Sequence, residues 1–182
     1  MTIEKTFIKD LVIIHPNIFE DERGYFFEAY NQAKFQQADI NYQFIQDNQS
    51  FSKRGVIRGL HLQINPFAQS KLVRVLEGEI LDVAVDLRKN SATYGKYESV
   101  VLSADNKKQL MVPHGFAHGF SVLSETASVL YKVDQLYDKN SERGIRFDDP
   151  ILAIDWQLNP EEIIVSEKDL VLPYFNEIDW EF

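Results

Sequence analysis

A mainly β protein of the sandwich or jelly-roll kind is what this sequence predicts, on three observations. Short runs in its middle alternate apolar and polar residues with turn residues between them. Aromatic residues make up 13% of the chain, with 13 Phe and 8 Tyr, which suits sheet faces packed ring against ring. Helical signals are few, short and near the two ends, the pattern of an all-β architecture rather than a parallel α/β one.

In chain order, Asn31 can cap a helix through Ala38. Lys71-Leu-Val-Arg-Val-Leu76 sorts into two side-chain sets and is followed by a turn at Glu77-Gly78-Glu79. Ile80 to Leu87 alternates Leu81, Val83, Val85 and Leu87 against polar Asp82 and Asp86, the pattern of a strand. Glu98–Leu102, Gln109–Val112, Phe116–Leu123 and Ser128–Val133 read as further strands. Asn159-Pro160-Glu161-Glu162 has a capping residue, a proline at the first helical position and acids in the first turn, the start of a second short helix.

The chain of 182 residues is suited to one domain, and no linker, repeat or low-complexity stretch divides it. A net charge of −9 disfavours sequence-independent nucleic-acid binding, while a local convergence of Arg and Lys still leaves room for a small anionic ligand. With no Cys there are no disulfides, thiolate ligands or thiol nucleophiles. Neither a signal peptide nor a run of membrane-spanning length is evident, so a cytoplasmic enzyme is the default expectation.

Of the four histidines, His61 lies in Gly55-Val-Ile-Arg-Gly-Leu-His61-Leu-Gln63 and His118 in Pro113-His-Gly-Phe-Ala-His118-Gly-Phe120. Glycine, five residues, then histidine resembles the first cupin motif; proline, any residue, glycine, two residues, then histidine resembles the second. Together, in that order and in a strand-rich chain, they make a cupin-type jelly-roll β-barrel with short terminal helices the expected fold. Most cupins bind a metal through His-x-His, a downstream Glu and the second-motif His. Here Gln63 replaces the second His and no Glu follows at the expected interval. Two imidazoles and an amide are a poor ligand set for zinc or iron, so no metal is expected.

A denser set of blocks is Asp21 to Glu28, Gln46 to Ser50, Gly55 to Gln63, Lys71 to Val75, Pro113 to Phe120, Tyr131-Lys132 through Tyr137-Asp138, Asp149-Pro150, Ile154 to Trp156 and Ser166 to Asp169. In content and order they resemble the dTDP-4-dehydrorhamnose 3,5-epimerase family. Departures are Leu62 where Tyr is common, Gln157 where Pro is common, and a less typical Lys132-Val-Asp-Gln-Leu136 stretch. The resemblance implies a nucleotide-linked 4-keto-6-deoxy sugar as substrate and inversion of C3 and C5 without any cofactor. The C4 ketone acidifies the hydrogens on both carbons, so the reaction needs a base on one face, an acid on the other and a cation at the carbonyl oxygen.

The resemblance assigns these parts to His61 as base, Asp169 as the carboxylate orienting it, Tyr131 as acid and Lys71 as the enolate stabiliser. Parity agrees for two of them: Lys71 shares a strand face with Val73 and Val75, and Tyr131 with Ala127, Val129 and Val133, so each polar group stands on an otherwise apolar side. Arg58 and His61 have opposite parity, and a bulge near Gly59 would bring both into one site. For the nucleoside diphosphate the resemblance implies Arg23 and Arg58, with Gln46, Asn48 and His118 as neutral partners and Phe19 and Tyr137 stacking on the base, Tyr137 as the platform. Glu28, Glu142 and Lys168 also match substrate-binding positions. It implies a homodimer in which the Arg23–Glu28 segment is supplied by the partner. A relative inverting only C3 or only C5 would use the same His, Tyr and Lys; a metal-dependent cupin oxygenase would need a third strong ligand; a non-catalytic sugar-binding cupin would have no need of the three.

Overall fold

Alternation along the strands closes two sheets face to face, as the computed structural model shows for residues 1–180. In chain order the strands are β1 (Thr2–Lys5), β2 (Val12–His15), β3 (Ile18–Asp21), β4 (Gly24–Phe27), β5 (Gln46–Lys53), β6 (Ile57–Gln63), β7 (Lys71–Glu77), β8 (Glu79–Asp86), β9 (Tyr97–Ser103), β10 (Gln109–Val112), β11 (Phe116–Val122), β12 (Thr126–Val133) and β13 (Glu142–Gly144). One sheet runs β1-β2-β10-β7-β12-β5, the second β13-β6-β11-β8-β9, and among the described residues β3 and β4 pair only with each other. All pairings between these strands are antiparallel. The fold is mainly β and cupin-like, as expected.

The core between the sheets is contributed from both sides. Val73, Val75, Leu110 and Val129 come from the first sheet; Ile80, Ala84, Phe116, Phe120 and Val122 come from the second, all buried. Fully burying side chains of this size stabilises by about 1.5–3 kcal/mol each. The second sheet is also covered on its outside, where Leu81, Val83, Val85 and Leu87 pack beneath Leu152, Trp156 and Trp180 from the C-terminal segment. The outside of the first sheet is covered in part by Phe35 and Ile40, packed on Ile14, Leu72 and Met111. No helix among the described residues is long and apolar enough to cross a membrane.

Strand β8 is therefore buried on both faces. Its leucine-and-valine set packs against the outer layer, and the set Ile80, Asp82, Ala84 turns into the barrel, with Asp82 and Asp86 fully buried. The alternation was legible, but a strand buried on both faces carries no sign of which face is inside.

Of the two expected helices, one forms as read: α1 (Gln32–Gln37) is capped by Asn31, whose Oδ1 accepts from the Lys34 N–H at 3.2 Å. Asn159-Pro160 starts only a 3₁₀ turn over Pro160–Glu162. The chain then continues as an extended strap, with Ile57 N–H donating to Ile164 O and Ile164 N–H to Gly55 O, both at 2.9 Å. Behind the strap comes a helix that the sequence reading did not single out, α2 (Glu167–Leu170), capped by Ser166.

The irregularity expected near Gly59 is present. His61 pairs with His118 and Arg58 with Phe120, so three steps on β6 span two on β11. Gly59 has φ +123° and precedes a cis peptide to Leu60. A Cβ at Gly59 would lie 2.6 Å from the Cα of Gly119, so the two glycines let the strands approach at the bulge.

Candidate active site

The bulge turns Arg58 and His61 toward one cavity of about 490 Å³, which is also lined by Lys71, His118, Tyr131, Lys168 and Asp169. His61, Arg58 and His118 come from the second sheet, Lys71 and Tyr131 from the first, and Asp169 and Lys168 from α2. His61 and Tyr131 thus approach the cavity from facing sheets.

His61 Nε2 lies 2.6 Å from Asp169 Oδ1. Burial pushes the Asp169 carboxyl up, but the bonds from His61 and from the Gly59 N–H outweigh it and hold the group below the usual carboxylate range. Asp169 is therefore an acceptor, which places the proton of neutral His61 on Nε2 and leaves Nδ1 as the basic nitrogen. Asp169 is itself fixed by the strap: its N–H bonds Ser166 Oγ at 3.2 Å, and Gly55 admits the strap because a Cβ there would lie 2.0 Å from Glu162 O.

Lys71 is 9% exposed, and its Nζ donates to the His61 carbonyl at 3.3 Å. Burial lowers its pKa from 10.5 to about 8, against the opposing pull of Asp82 and Glu142. Beside it, His118 Nε2 lies 2.7 Å from Asp82 Oδ1, and the second oxygen of Asp82 is buried with no hydrogen-bond partner among the described residues. Tyr131 is half-buried; burial raises its pKa and the charge of Arg58 opposes the rise. Arg58 is held by its Nε–H, which donates to Ser52 Oγ at 2.9 Å.

A second lobe of about 230 Å³ adjoins the first and shares His61, Lys71 and Tyr131 with it. Gln46, Asn48, Tyr137 and Glu142 line this lobe. Gln46 Nε2 donates to Asn48 Oδ1 at 2.8 Å. Glu142 takes the Tyr137 hydroxyl at 2.9 Å and Lys168 Nζ at 2.7 Å, one on each oxygen. Burial raises the Glu142 carboxyl, but these two bonds outweigh it and keep the group ionised.

Three expected binding residues do not reach either lobe within one chain. Phe19 and Arg23 stand on the β3–β4 hairpin and line a separate groove with Tyr25 and Phe26. Arg23 is bound by its neighbour Asp21, with Nε to Oδ1 at 3.1 Å. Glu28 bonds Lys34 and Asn31 at 2.7 and 3.1 Å, on the outer side of the first sheet. The sequence reading, in turn, passed over Asp82, whose shared parity with Ile80 and Ala84 was the available signal. It also passed over Ser166, a serine three residues before an aspartate. Among the described residues no three His, Asp or Glu side chains converge as a metal ligand set would.

Comparison with known proteins agrees over nearly the whole chain. The family model described as dTDP-4-dehydrorhamnose 3,5-epimerase matches residues 5–177. The dTDP-4-dehydrorhamnose 3,5-epimerase of Shigella flexneri is 48% identical over 182 residues, 99% of each chain. The crystal structure of the enzyme of that name from Elizabethkingia anophelis superposes with a TM-score of 0.94 at 54% identity, covering 97% of both chains. That of the dTDP-6-deoxy-D-glucose-3,5-epimerase of Legionella pneumophila, in complex with dTDP-4-keto-L-rhamnose, gives a TM-score of 0.94 at 46% identity, covering 98% of this chain and 94% of that one.

Proposed function

We infer that this chain, which belongs to the dTDP-4-dehydrorhamnose 3,5-epimerase family, is an isomerase that inverts C3 and C5 of dTDP-4-dehydro-6-deoxy-D-glucose to give dTDP-4-dehydro-L-rhamnose. The observation that carries the reading is the His61–Asp169 pair facing Tyr131 across a cavity that also holds a buried lysine.

His61 Nδ1 removes the proton from C3, and from C5 in its turn. The electron pair moves onto the C4 oxygen, and the Lys71 ammonium meets the developing charge in a site where burial strengthens the interaction. Tyr131 delivers a proton to the opposite face of the carbanion, which inverts the centre, and is recharged from solvent. Its raised pKa suits it to remain a phenol until the carbanion forms. Arg58, Gln46, Asn48 and His118 hold the diphosphate and sugar, while Tyr137 stacks on the base and Glu142 and Lys168 bracket it. No step draws on a metal or a redox cofactor.

The chain works as one domain whose N-terminal hairpin is exchanged in a homodimer. What supports this is the hairpin itself: among the described residues it pairs only with itself, and it exposes Phe19 at 64%, Tyr25 at 57% and Phe26 at 69%. Single apolar residues on a surface are ordinary, but three together on one small ribbon mark an interaction surface. A second copy seated there brings Phe19, Arg23 and Glu28 to the site. A cytoplasmic location is supported by the proposed substrate, a charged nucleotide that does not cross a bilayer.

The test is incubation with dTDP-4-keto-6-deoxyglucose in deuterated water, followed by NMR. Deuterium at both C3 and C5 with an L-configured product is expected. Exchange at one centre alone would assign the chain to a single-centre epimerase.

A further inference from the structure

Gln63 ends β6, the strand that carries His61, and stands where a cupin His-x-His pair has its second histidine. Its side chain is buried at 5% exposure, against the wall of the second lobe. The carboxamide is engaged at both of its polar atoms. Nε2 donates to Phe67 O at 2.6 Å and to Leu136 O at 3.1 Å, and Oε1 accepts from the Asp138 N–H at 2.6 Å.

Residues 136 and 138 flank Tyr137. One side chain therefore holds the peptide groups on both sides of that tyrosine. The segment lies beyond the end of β12 and has no strand pairing before Glu142. The Tyr137 ring is 58% exposed, so burial does little to orient it, and its hydroxyl reaches one side-chain partner, Glu142. Its place over the lobe is set by the backbone beneath it.

We propose that Gln63 is the positioning residue of the nucleotide platform, clamping the Leu136 and Asp138 peptide groups so that the Tyr137 ring stands ready to stack on the base. The inference rests on the reading of Tyr137 as the stacking residue. Pre-ordering a loop in its bound conformation raises affinity by removing an ordering cost at binding. An amide suits the post where histidine or carboxylate would not: it donates twice and accepts once from one planar group. Glutamate in its place would accept from Asp138 but set a carboxylate against two carbonyl oxygens.

The experiment is a double-mutant cycle on the dimeric enzyme, read as the Kd of dTDP by titration calorimetry and as KM and kcat. Gln63→Met keeps length and volume and removes all three bonds. It should weaken dTDP about tenfold and raise KM by more than it lowers kcat. On a Tyr137→Ala background the same change should cost nothing further, because the clamp acts through the ring. Should Gln63→Met not fold, Gln63→Glu is read in the same way. If Tyr137→Ala weakens dTDP while Gln63→Met does not, or if Gln63→Met costs the same in both backgrounds, the clamp is overturned and the platform stands. If Tyr137→Ala binds dTDP like the parent, the platform is overturned and the clamp with it.

Discussion

The barrel interior and the β3–β4 hairpin both carry charged residues that the proposed reaction uses, yet only the first set lines the cavity while the hairpin's Arg23 lines a separate groove. Inside the barrel, Asp169 is held to His61 and Asp82 to His118, each pair drawn from elements far apart in sequence and fixed by strands or by the strap. On the hairpin, Arg23 pairs with Asp21, two residues away, and the pair is exposed to water. Groups that must hold one geometry through a proton transfer sit where the sheets over-determine them. Arg23, proposed to grip the diphosphate, sits on an exposed ribbon outside the cavity.

The largest expected effect is at the base. His61→Ala should abolish deuterium exchange at both C3 and C5, since no carbanion forms without it; general bases contribute about 10²–10⁴-fold. Exchange surviving at either centre would show a second base in the barrel. Tyr131→Phe keeps the ring and should impair inversion more than washout, because His61 can return a solvent proton to the face it came from. Inversion at the parental rate would make Tyr131 a core aromatic.

The hairpin side of the comparison is tested by Arg23→Ala, expected to raise KM by about tenfold to a hundredfold through loss of a charge-assisted contact. Mixing the Arg23→Ala and His61→Ala chains sharpens it. In an exchanged dimer one of the two sites of each hybrid is intact, so a mixture re-equilibrated 1:1 should recover about a quarter of parental activity. No recovery, with hybrids confirmed by mass, would mean that each hairpin serves its own barrel.

The smallest effect is in pH. Lys71 is charged below about pH 8 and neutral above it, so kcat should fall as pH rises through about 8. Stability moves the other way. Between about 8 and 10.5 the unfolded lysine keeps a proton that the folded one has lost, so unfolding becomes harder as pH rises through that window. Holding this charge at neutral pH costs roughly 3 kcal/mol, and Lys71→Met should raise Tm at pH 7 while lowering turnover. A Tm unchanged by the substitution would place Lys71 in contact with water.

Much of this was legible in the chain before any coordinates. The period-2 runs from Lys71 to Val133 marked strands because a half-buried pleat sorts side chains two by two, and the opposite parity of Arg58 and His61, both implied in one site by the family resemblance, pointed to the bulge found at Gly59. The place of Asp82 was not legible, because β8 is buried on both faces and alternation alone does not say which set meets the barrel interior. Ser166 and α2 were passed over as elements because a helix of four residues is too short to show a period.

The sequence by itself determined the kinds of chemistry available: two histidines in motif positions, a lysine and a tyrosine each on an apolar strand face, and no thiol. Those are properties of local order, and local order is written in neighbouring residues. Only the tertiary structure decided that Asp169, 108 positions from His61 and paired with it in the sequence by family resemblance alone, lies 2.6 Å from it, that Asp82 stands behind His118, and that the amide of Gln63 spans the peptides around Tyr137. Contacts between distant segments depend on which sheet faces which and on where the strap crosses the barrel, and those are set by packing of the whole chain at once.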